Sequence, residues 1–437
     1  MTQAQSGAQM YALAKRLWPI CRSLTGDGVR QTLAIMQELL PTLMVHEVPS
    51  GTPAFDWQVP AEWRVRDAYI ADLDGNRLVD FQQHNLHLVG YSTPIDAIMS
   101  REELEPHLYS LPHQPTAIPY VTSYYRQHWG FCLSQQQRDA LPAGPFRVQI
   151  DSELFAGALS YGEWYLPGES QEEVLLSTYV CHPSMANNEL SGPVVAVELA
   201  RWLASAPRRL SYRLLLLPET IGSIVYLSRH LPQLQQRLKA GFVMTCMGDE
   251  RTYSYLASRR GNTLADRVAL HVLQHRDPHF QRYSFLQRGS DERQYCSPGV
   301  DLPVVSMMRS KYGTYPEYHT SLDNLSLITP AGLQGSLEML QQAIGVLELD
   351  RYPQATVCCE PQLGKRGLYP TISTRESGYQ VRTMMNLLAY ADGQHSLLEL
   401  ADMLNQPFAT LEALCCRLEA EGLLRSGDAP RTEPLRL

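Results

Sequence analysis

No stretch of this chain is apolar for long enough to span a bilayer. None of its nine cysteines falls in a CxxC or zinc-finger spacing. Their number is odd, and two pairs are adjacent, Cys358-Cys359 and Cys415-Cys416. That pattern speaks against a disulfide framework and for free thiols in a reducing compartment. There is no basic excess: the formal net charge is -8, which argues against a general nucleic-acid binder. The opening residues, MTQAQSGAQMYALAKRLW, hold no apolar signal core. The expectation is a cytoplasmic protein with no membrane partner. Internal repeats and low-complexity segments are also missing. What remains is 437 residues, 44% hydrophobic and 19% charged, material for two or three domains with real cores.

The most informative stretch is VLLSTYVCHPSMANNELSG, residues 174–192. Its apolar, β-branched start reads as a buried strand. Pro183 ends that strand, because it cannot donate to a sheet ladder. His182 is thereby left at a strand's C-terminal end, where open α/β sheets place their ligands. Asn187-Asn188-Glu189 read as a polar turn, and Ser191-Gly192 lead into helical spacing through Leu203. The cluster suits a metal ion; a capping turn with an incidental histidine is the plainer alternative.

Along the chain, residues 10–40 read as two helices split at Ser23–Gly28, and 43–48 as a strand. From about 50 to 151 prolines and aromatics crowd short strand candidates such as 64–71 and 146–150, the pattern of an inserted β-rich module. Then strands (155–164, 174–180, 212–217, 241–246, 302–307) alternate with helices (192–204, 223–230, 262–275, 330–347). The fold class expected is α/β, a mostly parallel sheet with helices on both faces. Residues 350–367 look like a linker. Beyond them, helical stretches at 380–390, 396–404 and 408–421 and a short strand suggest a winged helix-turn-helix. The expected division is 1–50 with 152–350, an insertion at 51–151, and 365–437.

Four turns after predicted strands carry groups suited to metal or proton chemistry: His182 with Asn188 and Glu189; Glu219-Thr220; Asp249-Glu250; and YPEYHTSLD, residues 315–323. Ligands at the ends of several strands of one sheet can converge on one crevice. Arg293, in GSDER, is a candidate for a substrate carboxylate, with a salt bridge to Asp291 or Glu292 as the alternative. The aromatic stretch 120–131 either walls the pocket or packs the insertion. Cys181 beside His182 reads as a buried thiol, since nothing near it in sequence lowers its pKa.

The order His182, ANNELSG, a strand-end Glu, a strand-end Asp and YHTSLD resembles the zinc-dependent aminopeptidase family that includes glutaminyl cyclases. Within it the chain is most similar to a bacterial aminopeptidase-like branch with a β-rich insertion and a C-terminal winged helix, linked to polysaccharide or secondary-metabolite biosynthesis. The resemblance implies His182, Asp249 and His319 as metal ligands, with Asn188 where the family has a bridging aspartate. It implies Glu219 as general base, Thr220 where a carboxylate ligand follows it, and Asp323 behind the ligands. The Asn188 and Thr220 departures weaken one of the two metal sites. One zinc ion rather than two is therefore expected, at His182 and Asp249 with help from Asn188, Glu189 or His319.

The function expected is zinc-dependent amide or peptide hydrolysis, with Tyr315, Tyr318 or a backbone N–H steadying the oxyanion. The alternatives are a catalytically degenerate scaffold and a DNA-binding regulator. Against the latter, helix 408–421 carries Glu412, Glu419 and Glu421 with one arginine, Arg417, whereas phosphate contact needs basic residues. No nucleic-acid partner is expected. The winged helix instead suits docking on a second copy of the chain or on a partner enzyme.

Overall fold

The structure, a computed structural model, describes residues 3–368 and 375–430. The chain forms two compact units, Met1–Asp266 with His279–Glu338, and Arg267–Pro278 with Met339–Leu437.

The first unit is organised on a sheet in which eight strands pair among the described residues. At its centre four strands run parallel, in the spatial order Ser211–Leu217, Glu173–Tyr179, Leu238–Met244, Val304–Met308. Every residue of the first two is buried. That is what continuous Leu/Val runs give when both faces of a parallel sheet are covered. Burial of each such side chain is worth about 1.5–3 kcal/mol. The flanks are antiparallel. Ala158–Leu166 and Met44–Pro49 add on one side. Ser254–Leu256 adds on the other, with Gln281–Tyr283 parallel to it. The sheet is thus mixed around a parallel centre. Helix Ser191–Leu203 seats against it through Gly192. A Cβ there would lie 2.4 Å from both the Met244 carbonyl oxygen and Thr178 Oγ1, so only glycine permits this approach.

Three expected elements are redrawn. The strand expected at 155–164 is a corner: Phe146–Phe155 and Ala158–Leu166 are separate strands on either side of Gly157. Phe146–Phe155 belongs to a four-stranded antiparallel sheet with Arg77–Asp80, Glu62–Ala71 and Ile95–Met99. Its inner residues Ala68, Ile70, Val148 and Ile150 share one core with Leu159, Leu175 and Leu215 of the main sheet. The turn expected at 187–189 is a wide helical turn, Ala186–Leu190, buried throughout and continuous with the helix after it.

The third change concerns the expected linker, because Tyr352–Ala355 is a strand paired antiparallel with Leu424–Gly427. Pro353 costs little there, since a two-stranded ribbon has open edges. With helices Arg375–Tyr390, Leu397–Met403 and Phe408–Ala420 this ribbon completes the second unit. The core of that unit includes Leu397, Leu400, Leu411 and Leu418. Its middle helix starts at a capping box between Ser396 and Glu399, which satisfies two backbone donors at once. No described helix is long and apolar enough to cross a membrane.

Candidate active site

The four central strands end at one edge of the sheet, and the residues that follow them carry the polar groups. After Glu173–Tyr179 comes His182, whose Nδ1 lies 2.8 Å from Glu189 Oε2. Behind that carboxylate is Arg22, buried in the loop between the first two helices, with Nε 3.6 Å from Glu189 Oε1. The same Nε donates to the His182 carbonyl at 3.1 Å, and Nη1 donates to the Leu17 carbonyl at 2.9 Å. A buried charge is costly unless paired, and Arg22 and Glu189 stand as each other's partner in this buried site. Glu189 in turn fixes the proton of His182 on Nδ1. The other ring nitrogen, Nε2, faces the cleft and lies 3.7 Å from Glu219 Oε2.

Burial alone would lower the pKa of His182; the hydrogen bond and charge of Glu189, with Glu219, outweigh it and raise the value. Glu219 follows Pro218 just past the end of Ser211–Leu217, and burial raises its pKa above the usual carboxylate value against the pull of His182 and Arg293. Such a carboxyl is a better base than one in water. Cys181 accepts a hydrogen bond from the Glu219 N–H at 3.2 Å. Burial raises its thiol pKa well above the ordinary value, so it is no nucleophile.

His319 approaches from the loop beyond Val304–Met308, with φ +56. Its ring centroid lies 5.4 Å from that of His182. Burial and the neighbouring imidazole push its pKa down to about 3, which leaves a neutral ring with a free lone pair. Tyr318 stacks on it at 3.9 Å. The Tyr120 ring closes the other side, 5.3 Å from His182 and 5.2 Å from His319, and its hydroxyl meets that of Tyr124 at 2.6 Å. The backbone carries this wall: the Tyr120 N–H donates to the His319 carbonyl at 3.0 Å.

Other expected site residues are engaged elsewhere. Asp249 is saturated: Oδ1 accepts from the Arg251 N–H and Ser310 Oγ, both at 2.9 Å, and Oδ2 accepts from the Ser310 N–H and Asn187 Nδ2, both at 3.0 Å. Asp323 accepts from the N–H groups of Ala186, Asn187 and Asn188 and from the Tyr315 hydroxyl. The Tyr315 hydroxyl is therefore directed inward rather than at the cleft. Asn188 Oδ1 accepts from the Tyr179 hydroxyl at 3.1 Å. Arg293 donates through Nη2 to Thr220 Oγ1. The role of Arg22 was not readable from sequence, because it has no local motif. For the aromatic stretch 120–131 sequence left two alternatives open, and Tyr120 takes the first of them, beside His182 and His319.

Among the described residues, Cys181, His182 and Glu189 have donor atoms within 4.8 Å of one another. The 2.8 Å between His182 Nδ1 and Glu189 is a hydrogen bond, shorter than the roughly 3.3 Å that separates two ligands on a tetrahedral zinc. The group is a hydrogen-bonded relay. The donors outside that group are His182 Nε2, with Glu219 Oε2 3.7 Å away, and His319, whose ring centroid lies 5.4 Å from that of His182; these are nitrogen and oxygen atoms of the kind that divalent metal ions take.

The family described as "Domain of unknown function (DUF4910)" matches residues 11–350, and a winged helix-turn-helix family matches residues 351–426. A Clostridium acetobutylicum protein named "Putative polysaccharide biosynthesis protein with aminopeptidase-like domain" is 43% identical over 91% of this chain and 92% of its own length. A crystal structure of a "putative peptidase" from Clostridium acetobutylicum superposes with TM-score 0.92 at 41% identity, covering 97% of each chain. A zinc aminopeptidase from Bacillus subtilis shares the fold at TM-score 0.54 and 12% identity, over 78% of this chain and 94% of its own.

Proposed function

The chain belongs to the family described as "Domain of unknown function (DUF4910)", and on that premise we propose that it is an aminopeptidase-like amide hydrolase holding one zinc ion. The observation that carries the reading is the meeting of His182, Glu219 and His319 at the ends of the parallel strands, with His182 oriented from behind by Glu189. His182 and His319 are the side chains that would hold the ion. Bound zinc polarises a carbonyl and lowers the pKa of its water. Thr220 stands where the resemblance implies a second carboxylate, and it is tied to Arg293. A fixed positive charge at that place supports one ion rather than two.

The remaining work falls to the chain itself. Glu189 and Arg22 keep the His182 tautomer and ring orientation, as carboxylates behind metal-bound histidines do. Glu219 takes the proton of the attacking water and returns it to the leaving amine. Tyr318 has no hydrogen-bond partner for its hydroxyl among the described residues and is placed to donate to the developing oxyanion. Tyr120 shields the imidazoles from bulk water. Asp249 is read as a positioning residue. The domain division at 51–151 and 365–437 stays part of this proposal, as does a cytoplasmic site of action in polysaccharide or secondary-metabolite biosynthesis. The relative's name supports that pathway class.

The saturated Asp249 favours a second reading, a degenerate scaffold that binds no metal. Metal content of the full chain decides between them. About one zinc per chain is expected, lost in His182→Ala together with hydrolysis of a panel of aminoacyl amides. Undiminished hydrolysis in that variant would overturn the proposal. The winged helix we read as a protein-docking module, because Arg351 pairs with Glu419 at 3.2 Å and with Glu412 at 3.7 Å. Salt-sensitive binding of duplex DNA by the full chain would refute that.

A further inference from the structure

We propose that Arg293 is an anion anchor, which makes the cleft select amides bearing a carboxylate a few bonds from the scissile carbonyl. The amide rests on the hydrolase reading above; the recognition of an anion does not.

Arg293 lies on the short helix Glu292–Tyr295 and is half-buried. No carboxylate forms an ion pair with it among the described residues. Its chain neighbours, the salt-bridge partners suggested by the sequence, make no ion pair with it. Asp291 Oδ1 accepts from Ser223 Oγ at 2.8 Å, and Oδ2 is buried without a hydrogen-bond partner. Glu292 Oε1 accepts from the N–H groups of Gly289 and Ser290 and from the Tyr312 hydroxyl, and Oε2 accepts from Ser306 Oγ.

Only Nη2 of the guanidinium is used, on Thr220 Oγ1. Nε is buried without a hydrogen-bond partner, and Nη1 makes none among the described residues. Desolvating a charged donor without a partner is costly, and a guanidinium fork fits a carboxylate with two parallel N–H···O bonds. Thr220 follows Glu219 directly, and the charge of Arg293 is felt at both Glu219 and Tyr318. A carboxylate held by Arg293 therefore sits beside the group that activates water. That proximity limits its distance from the scissile bond to a few bonds.

The test is calorimetric binding of the α-amides of L-glutamate and L-glutamine, which lack the α-carboxylate that both free amino acids share, to the full chain, as purified and after chelator treatment. The two probes have nearly the same shape and differ in one charge. The glutamate amide should bind roughly ten- to a hundredfold more tightly, and the preference should persist without metal. Arg293→Gln should abolish the preference and Arg293→Lys should retain part of it, which controls for loss of fold. Equal binding of both probes, absence of binding, a preference that disappears with the chelator, or one that survives Arg293→Gln would each overturn the proposal. Glutamate selectivity in a chain that hydrolyses no amide would leave the anchor standing and remove only the hydrolase reading.

Discussion

The turn that carries Glu219 and the turn that carries Asp249 flank the same central strand, yet they use a carboxylate in opposite ways. Asp249 accepts four hydrogen bonds, from Ser310, Asn187 and Arg251, which fills the lone-pair directions of a carboxylate. Glu219 has the nearby Ser290 hydroxyl, with the charges of His182 and Arg293, and its burial wins. The first carboxylate is committed to holding backbone in place. The second is under-solvated, so it gains by accepting a proton. Whether a strand-end acid is a tool or a strut follows from the donors around it, and neither its position nor its burial alone decides.

The sharpest break of this comparison is Glu219→Gln. It preserves shape and removes the basic oxygen. We expect turnover of any accepted amide to fall about a hundredfold or more, the scale of lost general acid–base catalysis, with the melting temperature nearly unchanged. Turnover within a few-fold of wild type would mean that Glu219 is as passive as Asp249.

Sequence reached the parallel centre of the sheet, because the run at 174–180 is apolar with β-branched residues and the run at 212–217 ends in four leucines, as strands covered on both faces do. It put His182 and Glu219 just past strand ends for the same reason: each comes shortly after such a run. It failed where the outcome depends on partners far along the chain. The saturation of Asp249 is supplied largely by Ser310 and Asn187, each about sixty residues away. The relay behind His182 ends in Arg22, 160 residues away. Nothing local marks either. The strand Tyr352–Ala355 was hidden in an apparent linker because Pro353 argues against a strand until an open-edged ribbon is known.

An effect of another kind, on stability rather than turnover, is expected from Asp249→Ala. Removal of this side chain strands the Ser310 N–H, the Arg251 N–H and the Asn187 amide in a buried site. The loss should be about 4 kcal/mol of stability, read as a fall in melting temperature of the chelator-treated protein. The chelator matters. If Asp249 is instead a metal ligand, the variant and wild type will melt alike once metal is gone and differ only when it is restored.

The smallest effect comes from Asp323, which stands between the two cases. It accepts four hydrogen bonds, as Asp249 does, but burial still raises its pKa to about 6. A raised carboxyl binds its proton more tightly in the folded chain than in the unfolded one. Where the folded state holds more protons, stability falls as pH rises. The penalty is absent below the unfolded value near 4, grows between about pH 4 and 6, and is complete above 6. By linkage it amounts to about 2 kcal/mol. Asp323→Asn cannot titrate, so the difference in unfolding free energy between wild type and variant should shift against wild type by that amount from pH 4 to pH 7. Denaturant titrations at the two pH values measure it, and every other titrating group cancels in the difference. A difference independent of pH would show that the three N–H donors of the 186–188 turn hold Asp323 ionised throughout, which would place it with Asp249 rather than with Glu219.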